Sequence, residues 1–242
     1  MKNTARHLIY LAKPNILKLI SGFTLIEALV AAAILGLLCS ILFPSLSAVR
    51  EKSRQIKCLS NLKQVGLACS MYAQENSGIL FLHFLHPGET PAEIYLPEIL
   101  KQKGYLNSTS VCFCPSCPVG GAYAVGITYG MRNYRTADPY IVYDGGSFSA
   151  GSSYLRFYDP PQPSDFYLFV DSVYGPTHTL AGKQRHVVMT TATLNEGGAH
   201  TRHNGVANAL FLDGHVEGCM SERLKAIGFT RGFDKNLSLE NY

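Results

Sequence analysis

A single carboxylate stands in the most apolar stretch of this 242-residue chain. Glu27 is the one charged residue between positions 23 and 49, and residues 28–49 carry no charge at all. A carboxylate in such a run is costly and is retained where it has a partner, so Glu27 is a candidate functional group. Gly22 lies five residues before it. If the chain is cut after Gly22, the new α-amine of Phe23 lies one helical turn from Glu27. Ammonium and carboxylate then neutralise each other, within one chain or between neighbours.

A second set of reactive side chains lies near the C-terminus: His200, His203, Asp213 and His215. Imidazole and carboxylate suit zinc or similar ions. No compact ligand motif such as H-E-x-x-H accompanies them, however. The simpler reading is that Asp213 shapes a turn and His203 hydrogen-bonds to it. No metal is expected, and His203, Asp213 and His215 are the residues that would hold one.

Seven cysteines are present, an odd number: Cys39, Cys58, Cys69, Cys112, Cys114, Cys117 and Cys219. Cys39 sits in the apolar stretch as a small buried or lipid-facing residue. Cys112, Cys114 and Cys117 crowd into one proline-containing turn, but a zinc ribbon needs a second pair at matched spacing. Cys58 and Cys69 lie on a helical pattern instead. A disulfide from Cys58 to Cys114 or Cys117 is expected in an oxidising compartment, worth ~2–4 kcal/mol. Ser152, Ser164 and Ser172 are candidate nucleophiles, but no G-x-S-x-G elbow surrounds any of them. Gly120-Gly121 and Gly145-Gly146 match no phosphate-binding fingerprint. Neither an enzyme nor a cofactor is expected.

The elements that must position these residues follow from hydropathy and period. Residues 23–49 are long enough to cross a membrane as a helix, which takes about 20 residues. Lys2, Arg6, Lys13 and Lys18 all precede the span. The excess of basic residues on that side keeps the N-terminus in the cytoplasm and sends the rest across. Without those four, seventeen basic residues face seventeen acidic ones. A neutral remainder offers no footprint for nucleic acid. Pro44 falls late in the span, either as a kink or as a mark of the lipid boundary. Beyond it, Cys58, Leu62, Val65, Cys69 and Tyr72 recur at helical spacing, flanked by Leu59, Gly66 and Ala73. That pattern predicts a helix with one buried face over residues 50–76, ended by Asn76-Ser77-Gly78.

The remainder, residues 77–242, reads as an α+β head. A loop or short extended piece is expected over 80–91 and a helix over 92–106. Strands are expected over 122–129, 165–171, 186–192 and 206–212. Asp213-Gly214 should turn the chain into a hairpin at 215–217, and a closing helix should span 221–227. Residues 144–153 are Gly/Ser-rich and read as a loop.

Gly22-Phe-Thr-Leu-Ile-Glu-Ala-Leu-Val resembles the processing site of type IV prepilins and type II secretion pseudopilins. The resemblance implies a leader of residues 1–22, cut after Gly22 by a prepilin peptidase that methylates Phe23. Glu27 takes the place of the family's subunit-docking glutamate. The 22-residue leader is longer than many in the family, a hint that Met1 is not the true start. The run from Arg202 to His215 fits a second signature, His203, nine residues, then Asp213-Gly214. It resembles that of prepilin-like proteins of planctomycete and verrucomicrobial type, as do Asn61-Leu-Lys-Gln-Val-Gly-Leu and Cys114-Pro-Ser116.

The implied fold is pilin-like: a long N-terminal helix, transmembrane in its first half, packed on a small antiparallel sheet. The implied role is a filament subunit of a pilus or secretion system, in the inner membrane with a periplasmic head, or assembled into a periplasmic or cell-surface filament. Its partners would be the peptidase, other subunits and an inner-membrane assembly platform. Small residues Ala28, Ala31, Ala32 and Gly36 suit close helix packing. The other reading is a membrane-tethered binding module that borrows the export signal, its aromatic head and loop 144–153 holding a carbohydrate or protein.

Overall fold

Helix α1 spans Leu25–Glu75 without a break in the computed structural model. The structure describes residues 24–85, 93–117, 128–132, 138–144 and 152–242. The chain divides into two compact units, Met1–Leu46 and Ser47–Tyr242. α1 begins in the first, and its residues from Ser47 onward belong to the second. In the first unit large apolar side chains are exposed, Leu25 at 76% and Phe43 at 70%. α1 is long and apolar enough to cross a membrane, and lipid is the solvent that such a surface suits.

In the second unit α1 behaves as its period predicts. Cys58, Leu62, Val65, Cys69 and Tyr72 are all buried, while Ile56 and Leu67 face outward. The helix stops where Ser77 and Gly78 take positive φ, and the Gly78 N–H donates to the Ala73 carbonyl at 2.8 Å.

The chain then runs through β1 (Ile79–Leu85), β2 (Glu93–Tyr95), α2 (Leu96–Gln102) and a 3₁₀ turn at Thr109–Cys112. Next come β3 (Gly130–Arg132), β4 (Ile141–Tyr143), β5 (Ser153–Arg156), β6 (Tyr167–Val170) and β7 (Ser172–Val173). They are followed by β8 (Val187–Val188), β9 (Gly198–Thr201), β10 (Ala207–Phe211) and β11 (Val216–Cys219). α3 (Ser221–Ala226), β12 (Arg231–Asp234) and β13 (Leu239–Asn241) end the chain.

Among the described residues the strands form three sheets, ordered β2-β1-β5-β4, β11-β10-β6-β3-β8 and β13-β12-β9-β7. Pairing is mostly antiparallel, with parallel pairs at β3/β8 and β12/β9. β10 is buried on both faces. Leu210 packs with Leu62 and Val65 of α1 in one core, while Ala209 and Phe211 meet Leu224 and Phe229 in a second. Helix and sheet approach closely at Gly66, where a Cβ would stand 2.6 Å from Leu210 Cδ1.

The α+β, pilin-like architecture is as expected, but several elements differ in detail. Of the loop or short extended piece expected over 80–91, the extended alternative is what forms through Leu85, as β1, which starts one residue earlier at Ile79 and pairs with both β2 and β5. The helix expected from 92 starts at Leu96, because Glu93–Tyr95 is claimed by strand pairing and Pro97 suits a helix's first turn. Of 186–192 only Val187–Val188 forms a strand. α3 does not close the chain, since β12 and β13 follow it. The Asp213-Gly214 turn is present: Gly214 has φ 82° and its N–H donates to the Phe211 carbonyl at 2.9 Å. Gly22, Phe23, residues 122–127 of one expected strand and 145–151 of the Gly/Ser loop lie outside the described residues.

Candidate functional site

At the start of α1, Thr24 and Glu27 cap the helix reciprocally. The Thr24 N–H and hydroxyl each donate to Glu27 Oε2 at 2.8 Å, and the Glu27 N–H donates to Thr24 Oγ1 at 3.2 Å. This Thr-x-x-Glu box satisfies two otherwise orphaned N–H groups. Its spacing is visible in the sequence, but hydropathy alone draws attention to the charge and not to the cap. The box holds the carboxylate at the positive end of the helix dipole, four residues after Phe23 in sequence.

A second constellation is buried in the head. Cys58 comes from α1, Cys114 from the turn after Thr109–Cys112, Asp171 from the junction of β6 and β7, and His203 from the turn after β9. Their ligand atoms all lie within 4.8 Å of one another. Cys58 Sγ is 3.6 and 3.7 Å from the two Asp171 oxygens. Cys114 Sγ is 3.2 Å from His203 Nε2, and that nitrogen is 3.3 Å from Asp171 Oδ2.

Local structure aims each group. Asn204 and Gly205 both take positive φ, a pairing that an Asn-Gly step adopts readily, and they turn the chain tightly behind His203. The Cys114 N–H donates to Gln184 Oε1 at 2.9 Å, and Asn61 Nδ2 donates to the neighbouring Phe113 carbonyl at 3.1 Å. The Asn208 N–H donates to Asp171 Oδ2 at 2.9 Å. Glu51 on α1 accepts from Ser116 Oγ and lies against His203 Nδ1, each at 2.7 Å. A carboxylate accepts, so a proton on Nδ1 points to Glu51, while Nε2 faces Cys114 Sγ and Asp171 Oδ2.

The electrostatics are those of a buried cluster of mixed sign. Burial pushes the Cys58 thiol well above its ordinary value. A hydrogen bond to Cys58 lowers Cys114 to about 6. Burial disfavours charge on His203, but hydrogen bonds to Asp171 and Cys114 outweigh it and raise the ring to about 10. Burial would also raise Asp171, yet Arg202 and His203 hold it below the ordinary carboxylate range. Arg202 Nε is 4.0 Å from Asp171 Oδ1, with both side chains almost wholly inaccessible.

The residues singled out from sequence are thus redistributed. His203 bonds to Glu51, Asp171 and Cys114, not to Asp213. Asp213 instead holds His215, at 2.6 Å to its Nδ1, on the partly exposed β10–β11 turn. Among the described residues His203, Asp213 and His215 do not form one site. Cys58 and Cys114 are brought together, Cys117 turns its Sγ to the Gly182 carbonyl at 3.4 Å, and all seven cysteines are free thiols. Sequence reasoning missed Glu51, Asp171 and Arg202. Asp171 did leave a signal: an acid directly after Phe-Tyr-Leu-Phe-Val must be buried with that strand and must therefore be paired.

Residues 17–43, which include Gly22, Phe23 and Glu27, match the family model of the prokaryotic N-terminal methylation motif. Type II secretion system core protein G of Klebsiella michiganensis is 31% identical over 109 residues, which are 42% of this chain and 70% of that protein. This chain belongs to the family of type II secretion system core protein G. The core protein G of Aeromonas hydrophila is 40% identical over 57 residues, 24% of this chain and 40% of that protein. That of Vibrio cholerae is 39% identical over 57 residues, with 24% and 39% covered. The chain therefore spans about two fifths of the length of those two relatives. No solved structure gives a significant match. Within this core protein G family member residues 25–43 of the methylation motif fall on the exposed apolar part of α1, and the four-residue cluster lies where the later part of α1 packs on the head.

Proposed function

We propose that this chain is a structural subunit of a type II secretion or type IV pilus-like filament, cut by a prepilin peptidase after Gly22 and methylated at Phe23. The observation that carries the reading is the methylation motif at residues 17–43, whose described part lies on an exposed apolar stretch of α1 with Glu27 as the one charge between residues 23 and 49. In this role the basic leader stays cytoplasmic and the apolar part of α1 lies in the inner membrane until it is withdrawn into a filament by an assembly platform. The head then faces the periplasm. Ala28, Ala31, Ala32 and Gly36 let neighbouring helices approach, and Glu27 meets the Phe23 ammonium of an adjacent subunit. The chain is the substrate of an enzyme and performs no catalysis itself.

N-terminal sequencing and mass analysis of the protein recovered from membranes of peptidase-positive cells should give a chain that starts at N-methylated Phe23. Recovery with residues 1–22 attached would overturn the reading. Glu27→Ala should still be processed, but sheared filaments should fall at least roughly tenfold, because an unpaired ammonium is then left in an apolar bundle. Filament yield equal to that of the parent would remove Glu27 from assembly.

A further inference from the structure

We propose that Cys58, Cys114, Asp171 and His203 form a closed four-ligand site for a zinc-like divalent cation inside the head. Four ligand atoms from four separate segments converge to within 4.8 Å of one another. Zinc bonds of about 2.3 Å to sulfur and 2.0–2.2 Å to nitrogen or oxygen give ligand–ligand edges of roughly 3.3–3.8 Å. The separations of 3.6 Å (Cys58 Sγ to Asp171) and 3.3 Å (His203 to Asp171) fall within that range, and that of 3.2 Å (Cys114 Sγ to His203) is a few tenths of an ångström short of a sulfur–nitrogen edge.

The surrounding groups supply what such a site needs. Glu51 on His203 Nδ1 fixes the tautomer and turns Nε2 to the centre, the carboxylate–histidine arrangement that supports metal-bound imidazole. The Asn208 N–H orients Asp171, and Tyr129 hydroxyl lies 3.2 Å from Cys58 Sγ. Two thiolates and one carboxylate around a divalent cation leave one net negative charge, which the buried guanidinium of Arg202 balances. Two sulfurs in the set favour zinc over magnesium or calcium. A groove lined by Lys57, Asn61, Phe113, Cys114 and Pro115 reaches Cys114 from outside.

Binding exchanges protons for metal with no change of oxidation state. The thiol protons of Cys58 and Cys114 leave to solvent, with the His203 Nε2 proton where one is present, and four coordinate bonds form. The cation would tie α1 to the Cys114 turn, the β6–β7 junction and the β9 turn, so its binding energy becomes folding energy of the head. The site is independent of the filament reading, since it involves no residue of the methylation motif.

Metal analysis of the full-length chain, purified in detergent under reducing conditions with zinc, should give about one equivalent per chain. Cobalt in place of zinc should give the thiolate-to-cobalt charge-transfer band of a tetrahedral sulfur site. Cys58→Ser, Cys114→Ser and His203→Gln should abolish both, while Cys69→Ser and Cys117→Ser retain them. The cobalt spectrum of the unsubstituted chain keeps the test valid where a ligand variant fails to fold. Folded protein that takes up neither metal would overturn the proposal. So would loss of binding in Cys117→Ser, or a Cys58–Cys114 disulfide in protein isolated from the periplasm.

Discussion

Replacing Asp171 with alanine is expected to destabilise the head by about 3–5 kcal/mol, the range for removing one partner from a buried ion pair. Asp171 is fully buried, accepts the Asn208 N–H at 2.9 Å and faces both Arg202 and His203. Arg202 Nη2 donates to the Ser172 carbonyl, while among the described residues its Nε and Nη1 have no hydrogen-bond partner. Without the carboxylate a guanidinium remains in the interior with its charge uncompensated. The double variant Asp171→Ala/Arg202→Met removes both charges and should regain most of the loss, since a matched apolar replacement of a buried pair is often nearly neutral. The measurement is urea unfolding of the full-length chain in detergent with a chelator present, so that metal binding does not enter. With 14 tyrosines and no tryptophan, near-ultraviolet tyrosine signals report the transition. A single variant as stable as the parent would show that Asp171 is not what compensates Arg202.

The second large effect is expected at Leu62. Its side chain is fully buried in the seam where α1 meets the β10 face carrying Leu210. Truncation to alanine removes three carbons from a packed core and leaves a cavity, at a cost of about 2–5 kcal/mol. Gly66, one turn further along α1, already brings helix and sheet too close for the backbone to settle into the void. Ile56 is of the same size class and 59% exposed. Ile56→Ala should therefore stay within about 0.5 kcal/mol of the parent, as surface changes usually do. Equal unfolding midpoints for the two variants would contradict the assigned buried face.

The two predictions rest on parts of the molecule that differ in how far they could be read in advance. The apolar run, the place of Glu27 within it and the buried face of α1 are local patterns. A helix repeats every 3.6 residues whatever it packs against, so Cys58, Leu62, Val65, Cys69 and Tyr72 declare their face through spacing alone. The Asp213-Gly214 turn is equally local, because positive φ selects glycine at position 214.

The sheets were less legible. Their strands run from two to seven residues, too short to hold a period against neighbouring aromatic residues. β1 stands out only through its partners, β5 among them, which joins the chain some seventy positions later. A strand's hydrogen bonds lie in another segment, whereas a helix satisfies its own.

The buried cluster is the extreme case. Its residues come from a helix, a turn, a strand junction and a second turn, with no fixed spacing between them. Sequence marked Cys58 and Cys114 for a disulfide, and it grouped His203 with Asp213 and His215 because those are near in the chain. The fold separates that group and supplies Asp171, Glu51 and Arg202 instead. By itself the sequence determined the processing motif, the membrane-length helix and the face that α1 buries, because each is written in neighbouring residues. Only the tertiary structure decided which cysteine meets which histidine. Burial allows a charged or thiol group to persist only where another segment brings its partner, and that depends on how the sheets close around α1.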